Sequence, residues 1–245
     1  MTFRIPVSSR IPFMSSIHRC FLFRALIILT LLAVCSLAAR PAAAAYVIEP
    51  DIAREYVELQ HRVLKHPDNA ELAFEYAVCL AYVGKVEEGR AALKKVQTLD
   101  PKFVEKALPG YIDRYRRSPT DLKAAFRLGF LYYFDKKFDR SLKILDEIAQ
   151  HHPPGQLNAW ALAYMAVIKS ERGQWKEAEE LVRRALRIEP DAYGLHAALA
   201  AALKAQGNLM PALQEYLIAL KDRREFEAYE KTLWNPDVSG AAKSD

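Results

Sequence analysis

Apolar residues recur along most of the chain at intervals of three and four, the spacing that stacks side chains on one face of an α-helix. The stretch from Ala159 to Pro190 shows the unit most clearly. Leu162, Met165, Ala166 and Ile168 line one helix, Arg172-Gly173-Gln174 turns the chain, and Ala178, Leu181, Val182, Ala185 and Leu186 line a second. Pro190 ends the unit, because proline has no backbone N–H to donate and pushes the preceding residue out of the helical region. Asp191 is then placed to cap the helix that follows. The pattern predicts a helical hairpin, and the hairpin recurs.

Four copies align. The small residue of the first helix falls at Ala77, Gly129, Ala166 and Ala200, and that of the second helix at Gly89, Ser141, Ala178 and Ala212. The turn glycine is Gly84, Gly173 and Gly207, with Lys136 in its place in copy two; the closing proline is Pro101, Pro153 and Pro190, with Arg224 in its place in copy four. Pro67 to Pro101, Pro119 to Pro153 and Pro190 to Arg224 are each 34 residues. This arrangement resembles the tetratricopeptide repeat, whose period is about 34 residues. The family's first-helix tryptophan is missing throughout. The resemblance covers about Asp68 to Arg224 and implies an all-α, right-handed superhelical solenoid of antiparallel hairpins.

It also implies where a partner would bind. In that family the first helices line the concave face, and the matching positions here are Phe74 and Tyr82 in copy one, Phe126, Arg127, Phe130, Tyr133 and Phe134 in copy two, and Trp160 and Tyr164 in copy three. The expected ligand is an apolar segment anchored by Phe126, Phe130, Tyr133 and Tyr164. Copy two's first helix is apolar on nearly every side, more than one buried face requires. The alternative is that these aromatics pack against residues 102–118 or the following repeat.

Around the copies, residues 46–68 supply an N-terminal capping helix, which Asp51 is expected to cap after Pro50. Residues 102–118 form an irregular insertion that Pro109-Gly110 should break into two short pieces. Residues 225–234 supply a C-terminal capping helix, and 235–245, which lack an apolar period, are expected to be disordered.

Residues 1–45 read as a signal peptide: Arg4, Arg10, Arg19 and Arg24 without an acid, an apolar run from Ala25 to Ala39, then Pro41 and Ala42 to Ala45. The run is shorter than the roughly 20 residues that span a bilayer. Export to the periplasm is expected, with cleavage near Ala44 or Ala45; the alternatives are an uncleaved anchor or a lipid on Cys35, the only routes to a membrane. The charge changes meaning accordingly. Of 35 Lys and Arg against 30 Asp and Glu, the five in surplus are Arg4, Arg10, Arg19, Arg24 and Arg40, so the remainder is neutral and gives no basic field for nucleic acid. Cys79 alone is left after Cys20 and Cys35, and reads as a small buried hydrophobe.

Candidate chemistry adds little. His61, His66, His151, His152 and His196 match no metal-ligand spacing and read as surface or loop residues, and no phosphate-cradling loop or nucleophile elbow occurs. Glu177, Glu179 and Glu180 begin a helix that Arg183, Arg184 and Arg187 end, as the helix dipole favours. No catalytic residue, metal or cofactor is assigned; the minor enzymatic alternative is a cell-wall lytic enzyme on a helical solenoid, which would need a catalytic domain for which the repeats and caps leave no block. The expectation is a protein-binding adaptor or assembly scaffold of the bacterial cell envelope, or a membrane-tethered assembly factor for a secretion, pilus or polysaccharide-export machine. In either form the partner is a protein or peptide.

Overall fold

The computed structural model describes residues 46–234; the signal peptide and the C-terminal tail expected from the sequence lie outside them. The described residues form ten helices and no strand: α1 Pro50–Lys65, α2 Ala70–Val83, α3 Val86–Leu99, α4 Phe103–Arg117, α5 Leu122–Phe134, α6 Phe138–Ala149, α7 Gln156–Glu171, α8 Trp175–Ile188, α9 Tyr193–Ala205 and α10 Leu209–Leu233. Successive helices pack in pairs, α2 on α3, α5 on α6, α7 on α8 and α9 on α10, giving a solenoid of antiparallel hairpins.

The small residues meet where the hairpins cross. A Cβ on Gly89 would lie 3.3 Å from the carbonyl oxygen of Ala77, and one on Gly129 would lie 3.3 Å from Ile144. In copy two the crossing is also a hydrogen bond, Ser141 Oγ donating to the Gly129 carbonyl at 2.8 Å. Where copies one, three and four turn on left-handed Gly84, Gly173 and Gly207, copy two puts Lys136 at φ +56°, which its Cβ makes costly.

Four local expectations are corrected. Asp51 lies in the first turn of α1, with Glu49 as the N-cap and Pro50 at the first helical position. The N-cap of α9 is Ala192, not Asp191. Residues 103–117 are one helix with Pro109 inside it, because Phe103 and Tyr111, on either side of the proline, both pack on Phe74. Residues 225–234 are no separate element: with Arg224 standing where earlier copies place a proline, α10 runs on to Leu233.

The turn is tight enough that copy one touches copy three. Helix α2 packs against both α5 and α7, and α7 against α9, so the first helices form an inner wall. Residues 46–49 enter this wall in extended form, with Tyr46 and Ile48 buried and Val47 between them exposed. Trp160 Nε1 donates to the Tyr46 hydroxyl at 3.0 Å. The Glu49 N–H donates to Gln156 Oε1 at 2.9 Å, the Gln156 N–H returns a bond to the Glu49 carboxylate at 2.8 Å, and Gln156 Nε2 donates to the Tyr82 carbonyl at 2.7 Å. The far end of α10 comes back to the same place. Phe226 lies against Tyr46 and Tyr193, Glu230 accepts from Tyr56 and, at 2.7 Å, from Lys85, and Trp234 packs edge-on to Tyr56.

Candidate functional site

The aromatics expected in a groove are brought together, but as core. Tyr82, Phe126, Phe130, Tyr133 and Tyr164 form a continuous cluster, with ring centroids 5.4 Å apart for Tyr82 and Phe126 and 4.9 Å for Phe130 and Tyr164. Tyr82 and Phe126 have no exposed surface and Phe130 retains 2%. Phe74 is covered by Phe103 and Tyr111 of α4. Tyr133 and Phe134 are half-buried; Tyr133 donates to Glu171 at 3.1 Å, and burial together with that carboxylate pushes its hydroxyl up to about 12. The physical reason is that a first helix here is covered by its own second helix and by neighbouring first helices, so apolar residues on every side are all used.

Arg127 is likewise an internal residue. Its guanidinium pairs with Glu55 of α1 and Glu75 of α2, and only 12% of its side chain is exposed. Tyr111 donates to Glu75 at 2.6 Å, and Lys123 reaches Glu55 at 2.8 Å and Asp51 at 2.9 Å. Three acids, Asp51, Glu55 and Glu75, and two bases, Lys123 and Arg127, thus join α1, α2 and α5, with the Tyr111 hydroxyl tying in α4, so Arg127 is engaged inside the fold rather than held out to a partner's carboxylate.

What remains open lies farther along. Trp160 and Tyr164 of α7 form part of the wall of a cleft of about 610 Å³ that continues along Ala197, Ala198 and Ala201 of α9 to Tyr216 and Leu220 of α10, with Glu87 and Arg90 of α3 on the rim. Its size is that of a small-ligand or peptide-anchor site. The lining is largely apolar, and the alanine run of α9 leaves the volume that larger side chains would have filled. Trp160 closes its inner end: a Cβ on Gly84 would lie 2.6 Å from the indole and one on Gly194 2.9 Å from it, so both backbones approach the ring directly. Of the nine residues assigned from the sequence, Trp160 and Tyr164 reach this cleft. The alanines that shape it carried only a weak signal, a first helix with little bulk.

Leu209, Met210, Leu213, Tyr216, Leu217 and Leu220 of α10 are all exposed, and of these Tyr216 and Leu220 line the cleft. Nor is His196 a surface residue: it is buried, with Nδ1 2.7 Å from Glu215 and Nε2 2.8 Å from the Pro190 carbonyl, fastening α9 to α10. Near the entry of residues 46–49, burial first and then the carboxylates of Glu49 and Asp191 push Glu189 up to about 7. Among the described residues no His, Cys, Asp and Glu group has the arrangement of a metal site, and no helix is long and apolar enough to cross a membrane.

No protein-family model matches the chain, and no curated protein matches it in sequence. Several solved structures of MamA align with it. One crystal structure of MamA is 16% identical over 71% of this chain and 90% of that one, with a TM-score of 0.41. MamA of Desulfovibrio magneticus RS-1, from residue 41 to its end, is 15% identical over 72% and 98%, with a TM-score of 0.39. MamA of MSR-1 is 20% identical over 71% and 88%, with a TM-score of 0.38. Scores below 0.5 at such identities carry no argument about what this chain binds.

Proposed function

We propose that the chain is an exported protein-interaction scaffold of the bacterial cell envelope, and that its cleft takes up an apolar segment of a protein partner. One observation carries the reading: a solvent-open, largely apolar cleft of about 610 Å³, floored by the alanines of α9, with the charged side chains of Glu87, Glu88, Arg90, Glu171 and Arg223 also in its lining, and bordered by exposed Tyr216 and Leu220. Such a cleft offers burial without chemistry, and small walls let a partner's backbone come close. The aromatic cluster of copies one to three gives the cleft a rigid inner wall instead of contacting the partner.

A photo-crosslinking side chain placed at exposed Ala197 or Ala201 should capture one defined segment of one envelope protein in cells, and Ala201→Arg should abolish that product at unchanged unfolding temperature. Equal capture from Arg184, on an exposed face elsewhere, would overturn the reading. Export enters the proposal through residues 1–45: the mass of the mature protein should begin near Ala45 or Tyr46. A mass that retains Met1 to Ala44 would replace it with a membrane-tethered assembly factor.

A further inference from the structure

We propose that the chain forms an antiparallel two-fold dimer through the first half of α10, a surface distinct in use from the partner cleft although Tyr216 and Leu220 border both. The observation is a comparison between copies. The positions held in copy three by Trp175, Val182 and Leu186, all buried or half-buried, are held in α10 by Leu209, Tyr216 and Leu220, all exposed, with no further repeat packed on them among the described residues. That alone is what any solenoid end would show. But α10 is also apolar where the interior copies are charged. Met210 stands where they carry Glu87, Asp139 and Lys176, and Leu217 where they carry Lys94, Asp146 and Arg183. Leu213 matches Arg90 and Glu179, with Leu142 the one apolar counterpart.

An outer helix that stays exposed needs a polar face to remain a single soluble chain. As the last described helix, α10 has the opposite, and from Leu209 to Leu220 the only charged residue is Glu215, which is engaged by His196. The six side chains are between 40% and 68% exposed. Together they offer about 700 Å², close to the roughly 800 Å² per partner of a standard interface.

The spacing selects the occupant. Leu209, Leu213, Tyr216 and Leu220 follow one another at four, three and four, a heptad seam that packs against another helix of the same period. Turned antiparallel about an axis between Gln214 and Glu215, the seam is its own complement: Leu209 faces Leu220 of the second copy and Leu213 faces Tyr216 of the second copy. The operation brings the same α10 surface of each copy onto the other, the isologous contact of a two-fold dimer.

Sedimentation velocity on the purified mature chain, over roughly two decades of micromolar concentration, should give a monomer–dimer equilibrium. Leu213→Glu and Leu217→Glu, both at exposed positions outside the cleft, should each weaken it at least tenfold without lowering the unfolding temperature. Because Cys79 is buried, Leu209→Cys and Leu220→Cys can be mixed as separate variants, and the disulfide should form between the two and not within either. A chain that stays monomeric throughout overturns the proposal, as does a dimer indifferent to both glutamates. Disulfides within one variant overturn the antiparallel register. Loss of crosslinking at Ala201 with the dimer intact would instead count against the cleft alone, so the two readings fail separately.

Discussion

Replacing Gly194 by alanine sets helix propensity against packing. Gly194 is the second residue of α9, and in an open helix the change would gain up to about 1 kcal/mol by restricting the unfolded chain. Here the new Cβ would sit 2.9 Å from Trp160 Cη2 and 3.0 Å from the Gly84 carbonyl oxygen, one a ring carbon and the other backbone. The indole has nowhere to go. Gly84 holds its other edge, its Nε1 is bonded to Tyr46, and the residue is 1% exposed. Overpacking of that kind costs about 1–3 kcal/mol, so the net expectation is a loss of about 1–2 kcal/mol, read as a lower urea midpoint at unchanged slope. Gly110→Ala is the control: it is helical, nothing lies within 4 Å of its would-be Cβ, and it should stabilise by about 0.5–1 kcal/mol. In a Trp160→Phe background the penalty at Gly194 should vanish, a coupling of about 1 kcal/mol or more. If Gly194→Ala stabilises as Gly110→Ala does, the closure of copy one onto copies three and four is wrong.

Phe130→Ala should cost about 3–5 kcal/mol in the same assay, because it empties the centre of the aromatic cluster; an unchanged midpoint would return Phe130 to a groove. Arg127→Ala, which removes the cation shared by Glu55 and Glu75 and leaves them Lys123 and Arg114 respectively, should cost about 3 kcal/mol, the low end for breaking a buried pair, and Glu75→Gln in that background should recover part of it. Lys136→Gly should stabilise by up to about 1 kcal/mol through relief of the left-handed turn, detectable as a small rise in unfolding temperature. Glu189 binds its proton more tightly folded than unfolded, so its contribution is full below about 4.5 and is lost as pH rises through about 7. Stability should therefore fall across that window, and Glu189→Gln should flatten the slope.

The hairpins were legible because everything that defines them lies within one period. Small residues at Gly129 and Ser141 must meet if the helices are to cross closely, and proline at 101, 153 and 190 must stop each unit. Pro109 was misread by the same rule, since the rule weighs the lost hydrogen bond and not the anchors; Phe103 and Tyr111 hold the helix on both sides while the proline itself faces solvent. Closure of the turn was not legible. It depends on Gly84, Trp160, Gly194 and Tyr46, which are far apart in sequence and carry no period. The buried polar residues Gln156, Asn158 and His196 were equally hidden, because a polar side chain reads as exposed until its distant partners are known.

The candidate site turned on one ambiguity, the meaning of surplus apolar residues on a helix. Copy two and copy four both carry more than a single buried face requires, Phe126, Phe130 and Tyr133 in α5 and Met210, Leu213 and Leu217 in α10. The local signal is the same and the outcomes are opposite. Helix α5 lies between α2 and α7, so its surplus meets Tyr82 on one side and Tyr164 on the other and becomes core. Helix α10 is followed by no further repeat among the described residues, and its C-terminal half is drawn away to Tyr46 and Tyr56, so its first half has no neighbour to spend the surplus on. Whether an apolar excess stabilises a fold or recruits another chain is therefore decided by the helix's place in the array, and α10, the last described helix, turns the same kinds of residue outward.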